Sequence, residues 1–100
     1  MARRSIVLEE RKQIKIFTNP VRQEMIRLLR LSEVPLTAKD LADRLYLSPA
    51  AVQHHLKKLE EIGVVEVDHH ARAGDMEVTY YRDADVEVQL QMGRNDGFQG

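Results

Sequence analysis

The chain has 100 residues, a mass of 11.6 kDa and a formal net charge of −1. That is the size of one domain, too small for a barrel enzyme or a two-domain nucleotide enzyme. The absence of cysteine excludes disulfides, a thiol nucleophile, a thiolate zinc site and a thiol redox switch. No apolar run approaches the roughly 20 residues of a membrane span, and the start Met-Ala-Arg-Arg-Ser lacks the apolar stretch of a signal peptide. A cytoplasmic protein without membrane association is expected. The net charge conceals an asymmetry: residues 1–60 hold 12 Lys/Arg against 7 Asp/Glu, and residues 61–100 hold 3 against 9. A basic front and an acidic back suggest a one-sided electrostatic surface, although such charges also serve simply to solvate two faces.

In chain order, Ser5 is positioned to cap a first helix reaching about Phe17, with a thin apolar stripe of Ile6, Val7, Ile14 and Phe17. Asn19-Pro20 marks a helix start, because Asn accepts from free backbone N–H groups and Pro loses nothing at the first helical position. Val21, Met25, Leu28 and Leu29 follow at helical spacing, and Glu33-Val34-Pro35 ends that helix. Thr37 caps a short third helix, with Asp40 placing negative charge at its positive end. Ser48-Pro49 opens a fourth, which runs to Ile62 and stops at Gly63.

From Val64 the apolar period changes from 3.6 to 2. Val65 and Val67 read as a strand, residues 69–75 as a long polar tip, and the run around Val78 and Tyr80 as the returning strand. Val86, Val88, Leu90 and Met92 alternate with polar residues and predict a third strand. It either joins the hairpin sheet or pairs across a two-fold axis. Residues 93–100 read as a flexible tail or the start of a linker, so residues 1–92 form the expected domain, and a linker there is what the first domain of a longer protein would carry.

Two short helices joined by Tyr46-Leu47-Ser48 and followed by a hairpin make a winged helix-turn-helix, an α+β and mainly α fold with a C-terminal wing and an extra strand. The second helix of such a pair can enter a DNA major groove. At about 100° per residue, Val52, Leu56 and Leu59 share one face, expected to be buried with Leu28, Leu41 and Leu45. The opposite face carries Ala50, Gln53, His54, Lys57 and Glu61, with Ala51 and Lys58 to one side. Small residues let the backbone approach base edges, Gln53 can pair with adenine, and His54 can donate or accept. Lys57 and Lys58 suit phosphates, which set affinity and register.

The segments Asn19-Pro20-Val21-Arg22, Leu41-Ala42-Asp43-Arg44-Leu45, the run from Leu47 to Val65 and Tyr80-Tyr81-Arg82 together resemble the ArsR-type winged-helix transcriptional regulators, over roughly residues 14–82. The resemblance implies sequence-specific operator binding by a homodimer, usually repressing transcription. Many members sense metals through cysteines, which this chain lacks, and no effector is legible. Members usually end in a helix that builds the dimer; the alternating 86–92 segment departs from that pattern. The first helix and this strand are the candidate interfaces.

The expected DNA-binding set is Ser48, Pro49, Ala50, Ala51, Gln53, His54, Lys57, Lys58 and Arg72, with the helix over 48–62 in the major groove. The wing over 69–76 lies near the backbone or minor groove. Arg72 reads equally as a minor-groove or phosphate cation and as a solvated loop residue. His55 reads as a packed residue hydrogen-bonded to a neighbouring helix. The pairs His54/His55 and His69/His70 diverge in direction and make poor metal sites, so no metal or cofactor is expected. No glycine-rich loop or nucleophile–base set accompanies the carboxylates, which argues against an enzyme. The alternative is a protein–protein interaction module whose acidic wing (Glu66, Asp68, Asp75, Glu77) forms the binding surface.

Overall fold

The computed structural model describes residues 3–91. Met92 and the expected tail over 93–100 lie outside the described residues. The chain order is β1 (Arg4–Leu8), α1 (Arg11–Thr18), α2 (Pro20–Leu31), β2 (Leu36–Thr37), α3 (Ala38–Leu45), α4 (Pro49–Glu61), β3 (Val65–Ala73), β4 (Met76–Asp83) and β5 (Val86–Leu90).

The helix ends follow the local chemistry. Asn19 Oδ1 accepts from the Val21 and Arg22 amides at 2.9 and 3.1 Å, with Pro20 at the first helical position. Thr37 Oγ1 accepts from the Asp40 amide at 3.0 Å, while the Asp40 carboxylate accepts from the Thr37 amide at 2.9 Å. This reciprocal capping box satisfies two otherwise free donors. Ser48 Oγ caps α4 by accepting from the Ala51 amide at 3.1 Å. Gly63, at φ +87°, turns the chain out of α4 in the left-handed conformation that glycine adopts without steric cost.

Tyr46 ends α3 in the same left-handed region, at φ 59° and ψ 43°, and its side chain is 94% exposed. An L-residue there costs roughly 1–2 kcal/mol, and the freer unfolded chain of glycine returns roughly 0.5–1 kcal/mol of that. Tyr46→Gly is therefore expected to stabilise the protein by about 0.5–1 kcal/mol, read as a higher urea midpoint. A lower midpoint would mean that the ring makes contacts that hold the turn.

One core joins all the layers. It comprises Met25, Ile26 and Leu29 of α2, Leu41 and Ala42 of α3, and Val52, Leu56 and Leu59 of α4. Ile16 of α1 joins them, and Leu8, Leu36, Ile62, Val64, Val65, Tyr81, Ala84 and Val86 complete it from the loops and strands. The α4 face expected to be buried is fully so, together with Leu41. Leu28 and Leu45 are only partly buried and flank that core.

Three expectations are corrected. Ser5 does not cap a helix: residues 4–8 form β1, and the first helix begins at Arg11, where the Gln13 side chain accepts from the Glu10 amide. The β-branched pair Ile6-Val7 favours extended chain, and the alternation puts Ile6 and Leu8 toward the core. The wing has no long tip. β3 and β4 pair as far as Ala73 with Met76, leaving a two-residue turn of Gly74 and Asp75. Gly74, at φ +65°, occupies the first turn position, where such tight hairpins call for glycine. A bulge at Asp68 shifts the register between Val67 and His69. Lastly, β5 is a strand but does not join the wing sheet. It pairs in parallel with β1, from Arg4 with Val86 to Leu8 with Leu90. The wing sheet is completed instead by the short β2, in the order β2-β4-β3.

Candidate nucleic-acid interface

α4 leans on α2, α3 and the base of the wing through Val52, Leu56 and Leu59. Helical geometry then turns Ala50, His54 and Lys57 to solvent, all of them exposed, with Ala51 and Gln53 half-buried at the margins. Ser48 and Pro49 sit exposed at the start of the helix. The Ser48 oxygen is engaged as the cap, but its O–H remains available as a donor.

Gln53 is not a free side chain. Its Nε2 donates to the Tyr81 hydroxyl at 2.8 Å. Tyr81 belongs to β4, is 4% exposed, and stands between the recognition helix and the wing. The bond fixes the direction of the Gln53 amide. One Nε2 hydrogen and the Oε1 lone pairs remain, the pair of groups that a two-point contact to adenine requires. In the sequence Tyr81 stands only within the Tyr80-Tyr81-Arg82 motif; it is the hairpin register that pairs it with Val67 and turns it inward.

His55 is half-buried and accepts at Nδ1 from Arg22 Nε at 3.1 Å. It is thus the packed, hydrogen-bonded residue anticipated from sequence. Burial, the Arg22 charge and then the His54 ring hold its pKa below the ordinary 6.5. Between pH 6.5 and the lower folded value the unfolded chain binds a proton that the folded chain refuses. The neutral ring therefore contributes stability that is complete above pH 6.5 and lost as pH falls through the folded pKa. Urea midpoints are expected to drop on acidification below pH 6.5 and to drop less in His55→Gln. Equal acid sensitivity in the two proteins would place the titration elsewhere.

The two lysines part company. Lys57 is exposed on the α4 face, whereas Lys58 is half-buried and lines a groove against α1 with Arg11, Lys12, Lys15, Asn19 and Arg22. On the wing, Arg72 is exposed two residues before the turn and opposite Glu77. His69 and His70 lie on β3 rather than in a loop. His69 stacks on Tyr80 with ring centroids 4.6 Å apart, and its Nδ1 lies 2.6 Å from Asp68. His70 meets Thr79 at 3.0 Å.

The acidic residues of the wing base are paired. Arg82 spans Glu66 and Asp68, with its Nε donating to Glu66 at 2.8 Å and its other side reaching Asp68 at 2.7 Å. Bonds from His69 and Arg82 hold the Asp68 carboxyl below the usual carboxylate range. Among the described residues no helix is long and apolar enough to cross a membrane.

A helix-turn-helix whose second helix exposes a small, polar and basic face, followed at once by an antiparallel wing, defines a winged helix-turn-helix protein, the fold that the resemblance to ArsR-type regulators implies. The model of a family described as a helix-turn-helix domain matches residues 17–68, and the chain belongs to that family. Among solved structures, reduced HlyU from Vibrio cholerae N16961 is similar at a TM-score of 0.56 and 26% identity, over 70% of this chain and 66% of that one. The transcriptional repressor BigR from Xylella fastidiosa shares the fold at a TM-score of 0.55 and 21% identity, over 72% of this chain and 64% of that one. The chain thus spans just under two thirds of the length of each. No curated protein sequence matches it.

Proposed function

We propose that the protein is a cytoplasmic, non-catalytic transcription regulator that binds a specific double-stranded DNA operator as a homodimer and represses from it. In this reading residues 1–92 are the DNA-binding domain. The helix over 48–62 lies in the major groove, with Ser48, Pro49, Ala50 and Ala51 at the backbone and base edges and Gln53 and His54 reading bases. Lys57 and Lys58 neutralise phosphates, and the wing over 69–76 brings Arg72 to the backbone or minor groove. The observation that carries the reading is the Gln53 amide, oriented by the buried Tyr81 while its second Nε2 hydrogen and its Oε1 have no side-chain partner among the described residues. A structural glutamine has no need of that arrangement at the margin of an exposed helix face that carries His54 and Lys57.

One recognition helix covers only a half-site, so two copies related by a two-fold axis are required. The β1–β5 pair suits this role. A two-stranded parallel sheet is rare, and its outer edges carry unpaired backbone groups that template strand addition.

The alternative of a protein-binding acidic wing is weakened by Arg82, which occupies Glu66 and Asp68. Titration of duplex DNA across a salt series separates the two readings. The regulator shows affinity that falls steeply with salt, because phosphate binding releases counterions. Indifference to DNA, with a protein partner retained, would establish the interaction module instead.

A further inference from the structure

The groove between α1 and α4 has a volume of about 660 Å³ and is lined by Arg11, Lys12, Lys15, Ile16, Asn19, Arg22 and Lys58. Five of the seven are cations, and no carboxylate lines it. Elsewhere in the described chain Arg3, Arg27, Arg30, Lys39 and Arg82 each lie within 4.0 Å of an acidic partner, while Arg4, Arg44, Lys57 and Arg72 are unpaired among the described residues but lie outside any such cluster of cations. None of the five groove cations makes such a pair among the described residues.

Gathering like charges from three helices raises the local potential and works against the folded state. The cluster gains a favourable counterpart only when an anion enters. Arg22 is already fixed for such a role: its Nε donates to His55 at 3.1 Å and its Nη1 to the Ile16 carbonyl at 3.4 Å. A held guanidinium loses less freedom on meeting a phosphate than a free one.

We propose that this groove is a second phosphate-binding surface, which grips DNA backbone flanking the half-site that α4 contacts. The proposal rests on the DNA-binding reading. Duplex DNA is the fitting polyanion because Lys58 joins the groove directly to the exposed α4 face through its neighbour Lys57. A ligand confined to the groove would leave that continuity unused. The surface also accounts for the positive excess of the first 60 residues, which the recognition helix alone does not absorb.

The test uses the full chain and two duplexes, one holding only the selected half-sites and one extended by about half a helical turn at each end. Each is titrated over a range of salt. The longer duplex is expected to bind with a salt slope steeper by about 2, from one additional phosphate contact in the groove of each of the two protomers at roughly 0.9 each. The double variant Lys12→Gln, Lys15→Gln is expected to remove that difference and leave binding to the short duplex unchanged. Both side chains are exposed, and circular dichroism confirms that the variant is folded. Lys39→Gln, on α3 and paired with Asp43, is the control and leaves both slopes alone. A double variant that keeps the wild-type slope on the longer duplex overturns the groove while leaving the DNA reading intact. A wild-type chain that binds neither duplex overturns both.

Discussion

Replacing Leu56 with alanine is expected to destabilise the protein by about 2–5 kcal/mol. Leu56 is 0% exposed and lies mid-helix between Val52 and Leu59, which are equally buried. Truncation there removes apolar contact and leaves a cavity, because a helix pinned on both sides cannot collapse into the space. A domain of this size holds roughly 5–15 kcal/mol in all, so the loss is a large share of the total. The thermal midpoint is expected to fall by about 4–8 °C for each kcal/mol. Lys57→Ala, one residue on and exposed, is expected to change stability by no more than about 0.5 kcal/mol. A Leu56→Ala variant within that same margin would mean that the buried face of α4 lies elsewhere. The exposed face would then move with it, and with the exposed face the assignment of Gln53 and His54.

Gln53→Ala carries the largest expected effect on function. If the amide makes a two-point contact to a base, its loss is expected to reduce discrimination between operator and random duplex by about 1–3 kcal/mol, roughly 5- to 150-fold. The substitution also leaves the buried Tyr81 hydroxyl without its donor, a cost of roughly 1–3 kcal/mol in stability. For that reason the measurement is the ratio of specific to non-specific affinity, in which a change in folding cancels. Lys57→Ala provides the contrast, weakening both duplexes alike and lowering the salt slope by about one. A Gln53→Ala variant that weakened both duplexes equally would make Gln53 an anchor rather than a reader.

The helix-turn-helix was legible in the sequence because its punctuation is local. Asn19-Pro20, Thr37 with Asp40, Ser48-Pro49 and Gly63 each act within four residues, and each does what the sequence indicates. Features that depend on distant partners were not legible. Residues 4–8 become a strand because residues 86–90 lie alongside, and nothing near Ser5 reveals a neighbour some eighty positions away. The alternation over 86–92 identified β5 as a strand but could not say which chain segment it would meet. The outer half of the wing carries no strand signal in the sequence: its residues are mostly exposed, so the apolar alternation that betrays a half-buried strand is absent.

The site divides along the same line. The exposure of Ala50, His54 and Lys57 follows from helical period alone, whereas Gln53, expected on the same face, is half-buried at its margin. The orientation of Gln53 by Tyr81, the tie of Arg22 to His55, and the departure of Lys58 into the groove all depend on packing between elements. Tyr81 and Arg22 are positioning residues that a linear reading sees only as parts of a family motif.

The central claim is that two copies of the chain read DNA through α4. Selection of bound duplexes from a random pool, by the full chain at physiological salt, tests it most directly. The expected result is a palindromic consensus whose half-sites are centred about one helical turn apart, with the consensus losing sharpness under Gln53→Ala. A pool that emerges without enrichment, from a chain that is folded and at high concentration, would contradict it.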